Sequence, residues 1–236
     1  MRTILFDLDG TLLPMNIDLF TKNYFKYLAG HFTDLIDGHD LTRQVLSATG
    51  IMVNTKDSRT NETVFMEYFG RHISGDAAVY AERFSTFYDT GFLLLQNDFE
   101  PNQHMINSIQ TLKGKGYRLA VATNPIFPLK ANLHRIRWAG LTPEDFSYIS
   151  CFEHNCYCKP HSEYFSEVLS AINEAPEHCL MVGNDVQEDL VAKQLGIRTY
   201  LIENCLIHRG GEITTDYRGS YEDFYSFVQG LPAANL

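Results

Sequence analysis

No apolar run in these 236 residues approaches the roughly 20 needed to cross a bilayer as a helix. The short run Ile4-Leu5-Phe6 is broken at once by Asp7 and Asp9, so no secretory leader is expected either. A membrane partner is excluded on this reading, and the expected location is cytoplasmic. Cysteine is sparse and odd in number, five in all. Without an export signal these read as reduced thiols rather than a disulfide framework. Positive charge is short as well: 19 Lys and Arg stand against 29 Asp and Glu, a formal charge of −10. Nucleic-acid binding draws most of its affinity from cations set against phosphates, so that partner is excluded and small solutes are favoured. Also missing are a Pro/Gly-rich linker, an internal repeat, a G-x-S-x-G nucleophile elbow and a G-x-G-x-x-G loop after a strand. Serine-hydrolase and dinucleotide chemistry therefore fall away.

What is present is an ordinary globular mixture, 44% apolar and 20% charged. Residues 2–6 read as a buried strand ending in Asp-Leu-Asp-Gly-Thr. A helix over Gln103–Lys115, closed by Gly114 and Gly116, precedes a second strand over Tyr117–Ala122 that stops at Thr123-Asn124-Pro125. The pattern returns at Cys179–Val182, ending in Gly183-Asn184-Asp185, and at Ile197–Ile202 after Gly196. Between them Tyr164, Phe165, Val168, Leu169 and Ile172 fall at helical spacing just after Lys159-Pro160. Strands alternating with helices imply an α/β fold with a parallel sheet. Residues of about 15 to 95 differ, with aromatics such as Phe20, Tyr24, Phe65, Phe69, Phe84 and Phe87 at three- and four-residue spacings. That segment reads as an all-helical interruption whose aromatics mainly pack a core.

Chemistry-bearing residues gather at the strand ends, where open α/β sheets bind ligands. Asp7 and Asp9 are two apart on an extended segment, so both carboxylates point to one side. Like charges that close raise a pKa or recruit a cation. Hard oxygen donors with few nitrogens suit magnesium, with Asp7 and Asp185 as its carboxylates. Asp185 and Asp189, four apart, are expected on one face of a helix after the strand. The same residues also fit blander roles, a turn at Asp7-x-Asp9-Gly10 or a helix-start charge at Asp189.

Taken together, Asp7-x-Asp9-Gly10-Thr11, Thr123-Asn124, Lys159-Pro160 and Gly183-Asn184-Asp185 with Asp189 resemble the haloacid-dehalogenase superfamily of phosphohydrolases. The resemblance covers roughly residues 1–14 and 97–205 and includes four signature motifs. It implies a doubly wound, Rossmann-like core over 1–14 and 96–236 with a helical cap inserted at 15–95, closing over the site. It further implies that Asp7 is the nucleophile forming an aspartyl-phosphate, and that Asp9 protonates the leaving oxygen and then deprotonates water. The metal would be Mg²⁺, held by Asp7, the Asp9 carbonyl and Asp185. Thr123 and Lys159 would face the phosphoryl oxygens, Lys159 as the fixed cation that an acidic chain needs. Leu8, Gly10, Thr11 and Asn124 would complete the substrate cradle, backbone amides at Leu8 and Asn124 included. Asn184 and Asp189 would support the metal ligand from behind, Asp189 by orienting waters or Lys159. Two departures stand out: the extra Asn184 leaves the register at Asp185 open by one position, and Pro14-Met15 replaces an acidic residue of sugar- and glycolate-phosphate branches.

The expected function is magnesium-dependent hydrolysis of a small phosphorylated metabolite. Alternatives are a phosphomutase sharing the same aspartates, or a non-catalytic module that holds a phosphorylated ligand. Cys151, His154, Cys156 and Cys158 could form a zinc site, but the spacing is not that of paired C-x2-C knuckles, and reduced thiols are favoured. His161, beside Lys159-Pro160, is read as a helix cap more readily than as a substrate contact.

Overall fold

The computed structural model describes residues 1–234. Strand β1 (Thr3–Phe6) is buried at every position. Continuous burial, rather than alternation, marks a strand covered on both faces. It is joined by β2 (Arg118–Val121), β3 (Cys179–Gly183), β4 (Arg198–Ile202) and β5 (Tyr217–Gly219). The order is β2-β1-β3-β4-β5 and every pairing is parallel. Phe6 lies opposite Val121 on one side and Val182 on the other. Asp7 therefore leaves the central strand between the ends of β2 and β3, beside the β1/β3 switch point where such sheets take ligands.

Four helices follow β1: α1 (Ile17–His31), α2 (Gly38–Asn54), α3 (Asn61–His72) and α4 (Ala77–Asp89). Each begins on a short oxygen-bearing side chain, Asn16, Asp37, Thr60 or Asp76, that accepts from an N-terminal amide of its helix. Such a cap stabilises by about 1 kcal/mol. Edge-on and tilted aromatic pairs join the helices, among them Phe32 with Phe84 at 4.8 Å and Phe69 with Tyr80 at 5.7 Å between ring centroids. The aromatic spacing thus marks packing, as expected. Helix α2 carries no aromatic and enters this core through Leu41, Val45, Ala48 and Met52. A 3-10 stretch, Gly91–Asp98, returns the chain to the sheet.

Helices α5 (Gln103–Gly114), α6 (Leu129–Trp138), α7 (Ser162–Ile172) and α8 (Tyr221–Gly230) complete the chain. Strand side chains alternate between the two faces. Ile4, Phe6, Leu180 and Val182 join Leu112 of α5 and Phe224 of α8, whereas Leu5 and Met181 join Tyr164 and Val168 of α7. The sheet is therefore covered on both faces, the doubly wound arrangement expected. Beyond residue 205, β5 and α8 extend the sheet past the signature motifs. Among the described residues no helix is long and apolar enough to cross a membrane.

Candidate functional site

Lys159 is 1% exposed and donates from Nζ to Asp7 Oδ1 at 3.0 Å and to Asp189 Oδ1 at 2.6 Å. Burial opposes its charge, yet the carboxylates of Asp189 and Asp7 outweigh burial and hold the ammonium above its ordinary pKa. One buried cation thereby ties the end of β1 to the turn after β3. Asp189 also accepts the Asp185 N–H on Oδ2 at 2.9 Å. Burial pushes its carboxyl up against the pull of Lys159.

The expected helix bearing Asp185 and Asp189 is not formed. A turn runs from Asn184 to Asp189, followed by a short 3-10 segment, Leu190–Leu195. The physical reason lies in Asp189: its carboxylate is spent on the Asp185 N–H and Lys159, which folds the chain back under β3. Gly183 makes room for this, since a Cβ there would stand 2.1 Å from Asp189 Oδ2.

Asp9 faces a different cation. Arg135 of α6, wholly buried, donates from Nη1 to Asp9 Oδ2 and from Nη2 to Asn132 Oδ1, and stacks 4.4 Å over the Phe127 ring. Burial raises the Asp9 pKa, Arg135 pulls it back, and the nearby Asp7 charge raises it further; the direction is upward. Asp9 Oδ1 has no hydrogen-bond partner among the described residues. Arg135 was not read from the sequence, because an arginine in an amphipathic helix looks like an exposed charge until the fold turns it inward.

The other expected site residues divide. Asn124 accepts the Lys159 N–H at 3.2 Å and donates to Glu188 Oε2 at 3.0 Å, so its side chain fastens the Lys159 loop rather than facing an open cradle. Thr123 is buried, and its carbonyl accepts from Ser150 Oγ and Tyr164 Oη. Thr11 donates to Asn184 Oδ1 at 2.8 Å, while Asn184 donates to the Cys205 carbonyl at 2.7 Å. Both are thus clamps on the turn after β1; the Gly10 N–H donates to the Leu13 carbonyl at 2.7 Å and the Gly10 carbonyl accepts from Tyr221 Oη at 2.8 Å, which leaves the Leu8 N–H as what that turn can offer a ligand. Gly10 has φ +83°, a left-handed conformation, and a Cβ there would meet Asn184 Nδ2 at 2.3 Å.

Asp185 is buried, its Oδ1 accepting the Gln187 and Glu188 N–H groups at 2.9 and 3.0 Å. Its Oδ2 faces the Arg209 guanidinium at 2.7 Å, and Arg209 also lies 3.8 Å from Glu188. Arg209 and Glu188 were not legible in the sequence, since neither belongs to a motif. Asp7 and Asp185 are all-oxygen donors at neighbouring strand ends, and a cation already neutralises Asp185. That donor chemistry fits a hard divalent ion completed by waters and a substrate phosphate. Among the described residues no group of three or more His, Cys, Asp or Glu side chains is placed to hold a metal by itself. Around the cysteine run, Cys158 accepts from Asn61 Nδ2, Cys156 donates to the Ser58 carbonyl, and burial pushes the Cys151 thiol up to about 12. His161 Nε2 lies 3.0 Å from the Val53 carbonyl, which ties the start of α7 to the end of α2.

Above Asp9 lies a cavity of about 370 Å³. Helices α1 to α4 form its roof and walls, and Ile126, Phe127 and Phe152 from the core close it. Fold and site together define a class: α/β proteins with carboxylates gathered at the end of a central parallel strand beneath a helical cap.

The comparisons narrow this further. A family model described as haloacid dehalogenase-like hydrolase matches residues 1–201, and the chain belongs to that family. It is similar to the pyrophosphatase PpaX of Anoxybacillus flavithermus, 26% identical over 203 residues that cover 84% of this chain and 82% of the relative. It is also similar to PpaX of Halalkalibacterium halodurans, 24% identical over 94% of this chain and 91% of the relative. Among solved structures, a HAD phosphatase from Thermococcus onnurineus superposes with a TM-score of 0.61 at 19% identity, covering 99% of this chain and all of the other. CbbY from Rhodobacter sphaeroides in complex with phosphate gives 0.59 at 20% identity over 94% of this chain and 96% of its own. These two show the fold alone.

Proposed function

We propose that the chain is a magnesium-dependent phosphatase that cleaves a small phosphomonoester through a phosphorylated Asp7. The observation that carries this reading is the buried Lys159 bridging Asp7 and Asp189 at the end of the central strand. An ammonium held there keeps Asp7 oriented and supplies positive charge to incoming phosphoryl oxygens. An Asp7 oxygen forms a bond to phosphorus as the ester bond to the leaving oxygen breaks, and Asp9 gives that oxygen its proton. Water then attacks phosphorus, Asp9 takes up the water's proton, and the bond to Asp7 breaks to release phosphate. Burial, which raises the Asp9 pKa, keeps a proton available to it, and Arg135 fixes one of its oxygens.

The metal would be held by Asp7, the Asp9 carbonyl and Asp185, and when bound it offsets negative charge on the phosphate. Backbone amides of Leu8 and Asn124 complete the cradle. The curated relatives named pyrophosphatase support phosphate-bond hydrolysis as the reaction class. Phosphate release from 4-nitrophenyl phosphate, measured with and without magnesium, tests the reading. Turnover that needs magnesium and disappears in Asp7→Asn is expected; turnover that survives Asp7→Asn overturns the mechanism.

A further inference from the structure

The cavity above Asp9 has walls that a second phosphate or a sugar would not call for. Phe25, Phe65, Met66, Phe84, Ile126 and Phe127 are among the side chains that line it. Tyr24 and Tyr88 also line it, their hydroxyls 3.0 Å apart and hydrogen-bonded to each other, one as donor and the other as acceptor. The hydroxyls of Thr21, Thr49 and Ser85 are the neutral polar side chains that remain.

The charged groups tell the same story. Lys130 reaches the cavity but is paired with Asp89 at 2.8 Å. Glu153 receives the Leu129 N–H on both oxygens, at 3.0 and 2.9 Å. Glu62, the other carboxylate, has its pKa raised by burial and by Glu153. Among the described residues no unpaired cation lines the cavity. An anionic group placed in it would meet two glutamates, and a polyhydroxylated one would lose hydrogen bonds to water that the walls do not replace.

Asp9 is the point at which this cavity meets the reacting atoms. On the proposed function, on which this inference rests, Asp9 protonates the leaving oxygen, so what that oxygen carries lies beside Asp9, which borders this cavity and a smaller one of about 240 Å³ lined by Gly10, Met15, Asn16 and Leu206. We infer that the leaving group is an apolar alcohol, a fused ring or a short hydrocarbon chain, and that neither pyrophosphate nor a sugar phosphate is the substrate. At about 30 Å³ for each water-sized element, the volume admits on the order of a dozen non-hydrogen atoms. The preference separates this chain from relatives named for pyrophosphate, whose second phosphate would need a cation here.

Two measurements test this. Phosphate release is followed with magnesium for straight-chain alkyl phosphates from ethyl to decyl, whose leaving oxygens are equally basic, alongside 1-naphthyl phosphate, pyrophosphate and glucose 6-phosphate. Each added methylene is expected to raise kcat/KM by about fourfold until the cavity is full. Pyrophosphate and glucose 6-phosphate are expected to trail octyl phosphate by about a hundredfold or more. A series flat in chain length, or either polar substrate preferred, overturns the inference. Binding of the same compounds to Asp7→Asn is followed by calorimetry, so that cavity and chemistry are read separately. No turnover with binding that tightens along the series keeps the cavity assignment and sinks the phosphatase reading; no turnover with flat binding sinks both. Met66→Lys, which sets a cation in the wall, is expected to raise KM for octyl phosphate about tenfold or more. Unchanged KM in a folded Met66→Lys protein counts against the inference.

Discussion

Arg135 and Asp9 lie 126 residues apart in sequence and meet as a buried pair, the guanidinium of α6 donating to one carboxylate oxygen while the other is buried with no hydrogen-bond partner among the described residues. The arginine is held on three sides, by Asp9, by Asn132 and by the face of Phe127. Its position ties the group proposed to move protons to the wall of the substrate cavity.

Arg135→Met should act on both stability and pH dependence. Removing one partner of a buried ion pair costs about 3–5 kcal/mol, readable as a lower urea midpoint at pH 7. Burial and Asp7 raise the Asp9 pKa whereas Arg135 lowers it, so the variant leaves the upward influences unopposed. Asp9 acts as an acid only while protonated. The alkaline limb of kcat for an alkyl phosphate is therefore expected to move to higher pH, and a limb that stays or moves down would refute the pairing's role.

Gly183→Ala offers a cleaner probe of Lys159 than mutating the lysine. A Cβ at position 183 would stand 2.1 Å from Asp189 Oδ2 and 2.7 Å from Asp189 Cβ, so the aspartate must retreat. Lys159 then loses its 2.6 Å partner and keeps only Asp7. A strained buried contact of this kind costs about 1–3 kcal/mol. The expected result is a lower thermal midpoint with a lower kcat, and a midpoint and kcat that stay at the parent values would mean that Asp189 yields without releasing Lys159.

Much of this was legible because strand ends in a parallel sheet converge, so Asp7, Thr123 and Asp185 could be brought together from strand order alone. Lys159 was placed by its boundary between a loop and α7, and it lies buried between Asp7 and Asp189. What stayed hidden depends on tertiary direction. Arg135 and Arg209 are unremarkable in sequence, and only packing turns one inward and sets the other on Asp185. The helix expected at Asp185–Asp189 failed because four-residue spacing also fits a single turn whose side chain bonds its own backbone. Thr11 read as a substrate group and Asn184 as support behind the metal ligand, and the two bind each other, since short polar side chains satisfy a turn as readily as a substrate.

Asp9→Asn should separate the two halves of the reaction. With 4-nitrophenyl phosphate the departing oxygen needs little protonation, so phosphoryl transfer to Asp7 proceeds, whereas activation of water loses its base. General acid–base catalysis contributes roughly 10²–10⁴-fold, and kcat should fall by that amount. Phosphorylated Asp7 should then accumulate and appear by mass spectrometry of acid-quenched protein as one added phosphoryl group on the peptide containing residue 7. A comparable fall in kcat with no adduct would point to a one-step displacement by water.

Arg209 provides a test of where the divalent ion sits. Its guanidinium forks over both Asp185 oxygens, Nη2 at 2.7 Å from Oδ2 and Nη1 donating to Oδ1 at 2.8 Å beside the two turn amides, so a metal ligated by Asp185 must displace it. The arginine side chain is 53% exposed but its carboxylate partner only 9%, so the forked pair exceeds the ~0.2–1 kcal/mol of a fully exposed one. Arg209→Ala should therefore lower the magnesium concentration for half-maximal activity by about fivefold or more. The same change should flatten the dependence of that concentration on salt, since salt screens the pair that magnesium must break. Chelator should abolish activity in both proteins, and added magnesium should restore it. A weaker magnesium requirement in Asp185→Asn than in the parent chain, or an Arg209→Ala protein that needs more magnesium, would place the ion away from Asp185.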